Sequence, residues 1–239
     1  PGVEKRFYGQ RAGNYDRNPY STTASMKNWG LMRCTQKNDP YGTETSLNTN
    51  FNYNLDGEGV DIIMLDSGVE ADHPEFAVNP DGSGGSRVVD FDWASLGVPG
   101  VQSSASYGGY LGDSDGHGSN CASIAAGNTC GWAPGAAIYS IRIFAGSSIR
   151  TGQYLSAINS DLAFDLVRAF HLKKLAEGNT RPTVCSNSWG YYSNYSGMSS
   201  TTYRGQTYPT SYYNSAYGQV ASVHGARVTY VDTAVENCG

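Results

Sequence analysis

An α/β fold built on a mostly parallel sheet is what this sequence predicts, and three observations predict it. Short, nearly continuous apolar runs stand at Val60–Leu65, within "GAAIYSIRIF" (135–144) and within "PTVCSNSWG" (182–190). Such runs, too short for buried helices and without strict alternation, mark strands covered on both faces, as parallel strands are. Between them lie helical stretches. Ile158, Leu162, Leu166 and Phe170 recur every four positions, and "GSNCASIAAG" (118–127) is rich in small residues suited to a tightly packed face. Finally, Asp66 and Ser188 stand at the carboxyl ends of two of the runs, where ligand chemistry collects in open α/β sheets.

Taken in order, residues 1–56 are polar apart from "NWGLMRC" (28–34) and are expected to form an extended N-terminal arm wrapping the domain, or a leader remnant. The texture changes at "GEGVDIIMLDSGVEADHPEF" (57–76), whose apolar run is the first buried strand. "NPDGSGGSRVVDFDW" (79–93) reads as a glycine-rich turn followed by a strand. A short helix is expected just after His117, the next strand at 135–144, and an amphipathic helix from about 155 to 176. Gly178 ends that helix, Pro182 follows, and the third long strand comes next. Alternation of strand and helix implies right-handed crossovers and a parallel sheet. Residues 191–218, rich in Tyr, Ser and Gly and without a period, are expected to be a surface insertion suited to contacts.

At 239 residues the chain is long enough for one domain with a substantial core. Lys and Arg number 16 against 21 Asp and Glu, a net charge of −5 with no basic run, so a nucleic-acid or anionic-membrane partner has no electrostatic support. The longest apolar runs are far too short to span a bilayer, and no signal peptide opens the chain. It begins with Pro1 rather than Met, which is expected of a processed or partial product. Five cysteines (Cys34, Cys121, Cys130, Cys185, Cys238) without regular spacing argue against a disulfide framework, and no CxxC or HExxH pair supports a zinc site.

A serine hydrolase needs a nucleophile, an imidazole to take its proton, and a buried carboxylate to hold the imidazole's tautomer and stabilise its charge. Asp66, ending a buried strand, is placed to be that carboxylate, and His117, heading a helix, to be the base. A helix start disfavours an imidazolium, so a carboxylate partner would be required to restore basicity. Gly116 and Gly118 on either side would let a substrate chain approach. Taken singly, each residue also has a plainer reading: a strand-terminal carboxylate often caps a helix, and a lone histidine is often structural.

The motifs together carry a resemblance. "DSGVEADHPEF" (66–76) resembles the aspartate motif of the subtilisin-like serine proteases, and "DGHGSNCASIAAG" (115–127) their histidine motif. "CGWAPGAAIYSIRIF" (130–144) is similar to the strand that follows it, and "SNSWG" (186–190) to one wall of the S1 pocket. Order and approximate spacing agree over roughly residues 55–190. The resemblance implies a three-layer subtilisin-like fold over residues 57–239, Asp66 as triad carboxylate and His117 as general base. It also implies Ser188, Trp189 and Gly190 as the edge that pairs with an extended polypeptide substrate. Asn120 replaces a second, non-catalytic histidine common in the family, and Cys121 falls where several members place a cysteine beneath the catalytic histidine, read here as a buried structural thiol. A less specific likeness of "NWGLMRC", "HPEFAVNPDGSGGSRVV", "RAFH…RPTVCSNSWGY" and "TYRG" is to subtilisin-like domains in structural proteins of marine tailed phages. That likeness implies a virion location with other virion proteins as partners; failing that, the family implies a secreted or extracellular protein.

The family's serine segment has no match here. "SGMSST" (196–201) comes too early and is followed by polar turn residues. The oxyanion asparagine is also unmatched: Asn237 lies in "RVTYVDTAVENCG" (227–239), whose Val231, Ala234, Val235 and Cys238 follow helical spacing. The fold is therefore expected to be incomplete at the C-terminal end, with the remaining part of the domain as a partner. On that expectation, the chain expressed alone would aggregate through an open sheet edge. Two functions stay open: a serine endopeptidase whose nucleophile is not on this chain, or a non-catalytic subtilisin-like structural or binding module of a phage particle. No cofactor is required by either. Structural calcium is common in the family and Asp81, Asp113 and Asp115 are loop carboxylates, although solvated turn aspartates are the plainer reading.

Overall fold

The computed structural model describes residues 9–11, 14–15, 26–27, 31, 51–79, 82–190, 200–203 and 206–209. In the N-terminal segment β1 (Gly9–Arg11), β2 (Asn14–Tyr15), β3 (Met26–Lys27) and β4 (Phe51–Tyr53) make two antiparallel ladders, β1 with β4 and β2 with β3. The described pieces of this segment thus pair with one another. Pairing satisfies backbone groups that a polar segment without an apolar face cannot bury otherwise. Leu31 is buried there against Tyr53.

The domain proper runs β5 (Asp61–Asp66), β6 (Gly68–Val69), β7 (Val88–Val89), β8 (Gly112–Asp113), α1 (His117–Ala126), β9 (Ala137–Arg142), β10 (Gly146–Ser147), β11 (Tyr154–Leu155), α2 (Ser160–Ala176) and β12 (Thr183–Asn187). The central sheet has the order β12-β5-β9-β7, and every pairing in it is parallel. The fold is therefore the mixed α/β architecture that the alternating runs predict. Within the Tyr-rich stretch, β13 (Ser200–Tyr203) and β14 (Gln206–Pro209) form an antiparallel pair. Ser200 and Thr201 of "SGMSST" fall in that strand; Asn237 and Asp81 lie outside the described residues.

β5 is buried over its whole length, and its alternation splits the core in two. Ile62 and Met64 pack with Ala122 and Ala126 of α1 and with Phe76 and Ile138. Ile63 and Leu65 pack with Leu166 and Phe170 of α2 and with Trp93 and Ile141. The same alternation puts Asp66 on the α1 face and Asp61 on the α2 face. Asp61 is buried there with the ammonium of Lys174, and Arg181 donates to it from Nε at 2.9 Å.

Two boundaries differ from expectation. The long helix starts at Ser160, not near 155, because Tyr154 and Leu155 pair with β10 and the amide of Ile158 donates to the Arg142 carbonyl. Asn159 then caps the helix by accepting from the Asp161 amide at 2.8 Å. The short helix includes His117 as its first residue instead of starting after it. Among the described residues no helix is long and apolar enough to cross a membrane.

Candidate active site

Asp66 and His117 come together at the carboxyl end of the sheet. Nδ1 of His117 lies 2.7 Å from Oδ1 of Asp66, whose carboxyl is 1% exposed while the imidazole is 47% exposed. That oxygen also accepts from the Ser67 amide at 2.7 Å. The bond to Asp66 and the charge of that carboxylate raise the imidazole above its ordinary value, with the charges of Asp115 and Asp113 adding to the effect and partial burial opposing it. Nε2, by contrast, has no oxygen partner among the described residues. A half-exposed imidazole with its inner nitrogen held by a buried carboxylate and its outer nitrogen bonded to no oxygen among the described residues is equipped to take a proton from an approaching hydroxyl.

The start of α1 is built without a capping side chain of its own. Gly116 precedes it at φ +94°, and the amides of Gly118 and Ser119 are satisfied from outside the helix, by Ser67 Oγ at 2.9 Å and Asp113 Oδ2 at 2.8 Å. Gly118 faces the strand and not a substrate, contrary to expectation. A Cβ there would stand 2.0 Å from the carbonyl oxygen of Gly68 and 3.1 Å from Cβ of Asp66. Its absent side chain lets the helix press against the β5–β6 turn, and with Ala122 and Ala126 it continues a stripe of small residues on the sheet. Gly118→Ala is accordingly expected to push α1 off the sheet and cost about 3 kcal/mol, read as a lower midpoint in chemical denaturation; an unchanged midpoint would contradict the packing.

Asp113 is a second correction. It is not a solvated turn aspartate but is fully buried, accepting from the hydroxyls of Ser67 and Ser119 and from three backbone amides. Burial alone would raise its carboxyl, yet the hydrogen bonds from Ser119 and the amides of Asp115, Gly116 and Ser119 outweigh it and hold it below the usual carboxylate range. With both oxygens engaged, Asp113 has no lone pair turned outward for a cation. Asp115 is exposed.

Cys121, read as a buried thiol, is half-buried one turn along the helix, its sulfur 3.8 Å and 3.9 Å from the two ring nitrogens of His117. Burial pushes the thiol up, with a contact to Ser188 opposing this and the nearby Asp66 adding to it. Ligand atoms of Asp66, His117 and Cys121 lie within 4.8 Å of one another. Nδ1 is already committed to Asp66. Cys130 and Cys185, like Cys121, are in no disulfide.

An open cleft of about 440 Å³ is lined by Asp66, His117, Phe144, Ala145, Trp189 and Gly190, with Ser67, Ser114 and Asp115 at its side. Trp189 and Gly190, singled out in the sequence, thus share a cleft with Asp66 and His117. Ser188 does not line it; it follows β12 directly, is exposed, and reaches Cys121 instead. Phe144 went unnoticed in the sequence. It stands just past the carboxyl end of β9, meets Trp189 edge to face with centroids 6.4 Å apart, and is 42% exposed. Its signal was position: the sheet's carboxyl edge is where β9, like β5 and β12, delivers side chains to a ligand. Arg142, at the end of the same strand, was also missed. Its buried guanidinium donates to the carbonyls of Tyr107, Gly109, Leu111, Gly112 and Ser156, fixing the segment that leads into Asp113. Burial lowers its proton affinity and Asp113 opposes that.

The central parallel sheet thus ends, at β5, in a buried aspartate bonded to a helix-borne histidine. Residues 57–228 match the model of Peptidase S8, the subtilase family, and the chain belongs to that family. It is similar to the subtilisin-like protease PopC of Myxococcus xanthus (strain DK1622), with 34% identity over 136 residues, 56% of this chain and 25% of PopC. The chain thus spans about a quarter of the length of this curated relative.

Proposed function

We propose that the protein hydrolyses peptide bonds as a serine endopeptidase, with Asp66 orienting His117 and His117 serving first as general base and then as general acid. The observation that carries this reading is the 2.7 Å bond between Nδ1 of a half-exposed imidazole and a buried carboxylate. Asp66 fixes the tautomer with the proton on Nδ1, which leaves the lone pair of Nε2 facing the cleft. That nitrogen takes the proton of a serine hydroxyl as it attacks the scissile carbonyl, and the imidazolium formed is stabilised by Asp66. The proton then passes to the departing amine. We assign the nucleophilic serine to residues that are not part of this chain, since no serine segment of the expected kind occurs in it. The mechanism needs no cofactor.

The substrate in this reading is an extended polypeptide lying along Ser188–Gly190 and paired with that backbone as an added strand. The cleft shared by Trp189, Gly190 and His117 supports that placement. The further proposal of a virion-borne protease acting among other virion proteins rests on sequence texture alone.

The test is labelling of the full natural protein by a fluorophosphonate probe, which modifies a serine only when an aligned base activates it. Labelling that is lost in His117→Ala is the expected result. Absence of labelling in the intact protein would instead favour a non-catalytic module of a particle.

A further inference from the structure

We propose that the buried Asp113 carboxylate, acting through Ser67 and the first turn of α1, sets the position of His117 against Asp66, so that Asp113 and Ser67 are positioning residues of the site. This rests on the reading of Asp66 and His117 as the reacting pair. The case begins with an inventory of one carboxylate. Oδ1 of Asp113 accepts from Ser67 Oγ at 2.7 Å, from the Gly116 amide at 2.8 Å and from the Asp115 amide at 3.0 Å. Oδ2 accepts from the amide and the hydroxyl of Ser119 at 2.8 Å and 2.7 Å. A fully buried carboxylate is tolerable only when its oxygens are met by donors in this way.

Those donors come from two elements. Ser67 follows Asp66 in the chain, and its amide donates to Asp66. Its hydroxyl gives its proton to Asp113 and accepts from the Gly118 amide at 2.9 Å. Ser119 returns the link, since its hydroxyl also accepts from the Glu70 amide at 2.9 Å beyond β6. The residues bonded on the helix side, Gly116, Gly118 and Ser119, bracket His117, yet none of these bonds is to His117 itself. One carboxylate therefore ties the backbone after Asp66 to the backbone on both sides of His117. Arg142 steadies it from behind by holding the carbonyls of the segment that leads into Asp113. A brace of this kind acts on the distance between the two reacting side chains without touching substrate, and a misplacement of about 1 Å can lower turnover by roughly a hundredfold.

The experiment follows the His117 ring by nuclear magnetic resonance in the full natural protein labelled with ¹⁵N-histidine. The chain carries four histidines, so the signal of His117 is identified by its loss in His117→Gln. Among the described residues, four charged or titratable groups surround the ring: Asp66, Asp113, Asp115 and Cys121. Ser67→Ala changes no charge, and it is expected to lower the His117 titration midpoint by about half a pH unit and kcat by roughly a hundredfold, with KM within about twofold. Asp113→Asn is expected to do the same or more. Folded variants of both kinds with the midpoint and kcat of the natural protein would overturn the proposal. If Asp113→Asn does not fold, Ser67→Ala decides alone. A midpoint that moves in a protein with neither hydrolysis nor labelling upholds the brace and refutes the catalytic reading; hydrolysis with an unmoved midpoint does the reverse.

Discussion

Asp66→Asn is expected to lower peptide hydrolysis by about 10⁴-fold while the protein stays folded. The amide fits the same space, and its oxygen can still accept from the Ser67 amide, a bond the carboxylate makes at 2.7 Å. What it loses is the charge that stabilises an imidazolium and the clear preference for a proton on Nδ1. The pH dependence carries an independent sign. In the natural protein Asp66 raises His117, so the neutral, proton-accepting form appears only as pH rises through a value above the ordinary imidazole range. The rate should climb across that window and reach its plateau on the alkaline side. In stability the sign is reversed: the stabilisation that the bond gives to a protonated His117 is present in acid and lost as pH rises through the same raised value. In Asp66→Asn the rise in rate should move toward acid even as the plateau collapses. Steady-state kinetics on a peptide substrate checks both, and a variant within about tenfold of the natural rate would be incompatible with the assigned role.

The largest effect on stability is expected at the other end of the same strand. Asp61 and Lys174 are both nearly inaccessible, Lys174 also donates to the Arg181 carbonyl at 3.0 Å, and its ammonium lies 4.9 Å from the Phe170 ring centre. Asp61→Leu strands that ammonium in the core without its counter-ion, which should cost about 3–5 kcal/mol. A domain of ordinary stability, about 5–15 kcal/mol, has little left after such a loss. Replacing both residues, Asp61→Leu with Lys174→Met, should recover most of it, because no buried charge remains unpaired. Urea denaturation of the two variants is the measurement; a single variant within about 1 kcal/mol of the natural protein would show the pair to be weak.

The two ends of β5 also show what a sequence makes readable. The run Val60–Leu65 announces a strand because burial on both faces excludes polar side chains from its middle, a local constraint. Asp61 heads the same run and conveys nothing by itself, since its partners Lys174 and Arg181 are 113 and 120 positions away. Asp113 was misread for the same reason: an aspartate between glycines and serines looks solvated until the strand and helix that enclose it are in place. Arg142 and Phe144 lay inside a strand that was recognised, yet a pattern of period two tells which face a residue takes and not whether its end of the sheet borders a cleft. Asp66 and His117 were legible as a pair through their motifs, and the geometry of their bond was not. The start of α2 was misplaced because Ile158 keeps the helical spacing while its amide serves the Arg142 carbonyl.

The missing cap of α1 has a consequence for the order in which this molecule comes into being. An ordinary helix carries its first hydrogen-bond acceptor within its own sequence and can begin to form as soon as it is synthesised. Here the amide of Gly118 waits for Ser67, 51 positions earlier, and Ser67 in turn is held by Asp113 across 46 positions. Loops of that length close late, once the sheet they depend on has assembled. The histidine therefore comes into register with Asp66 only in a domain whose sheet has assembled.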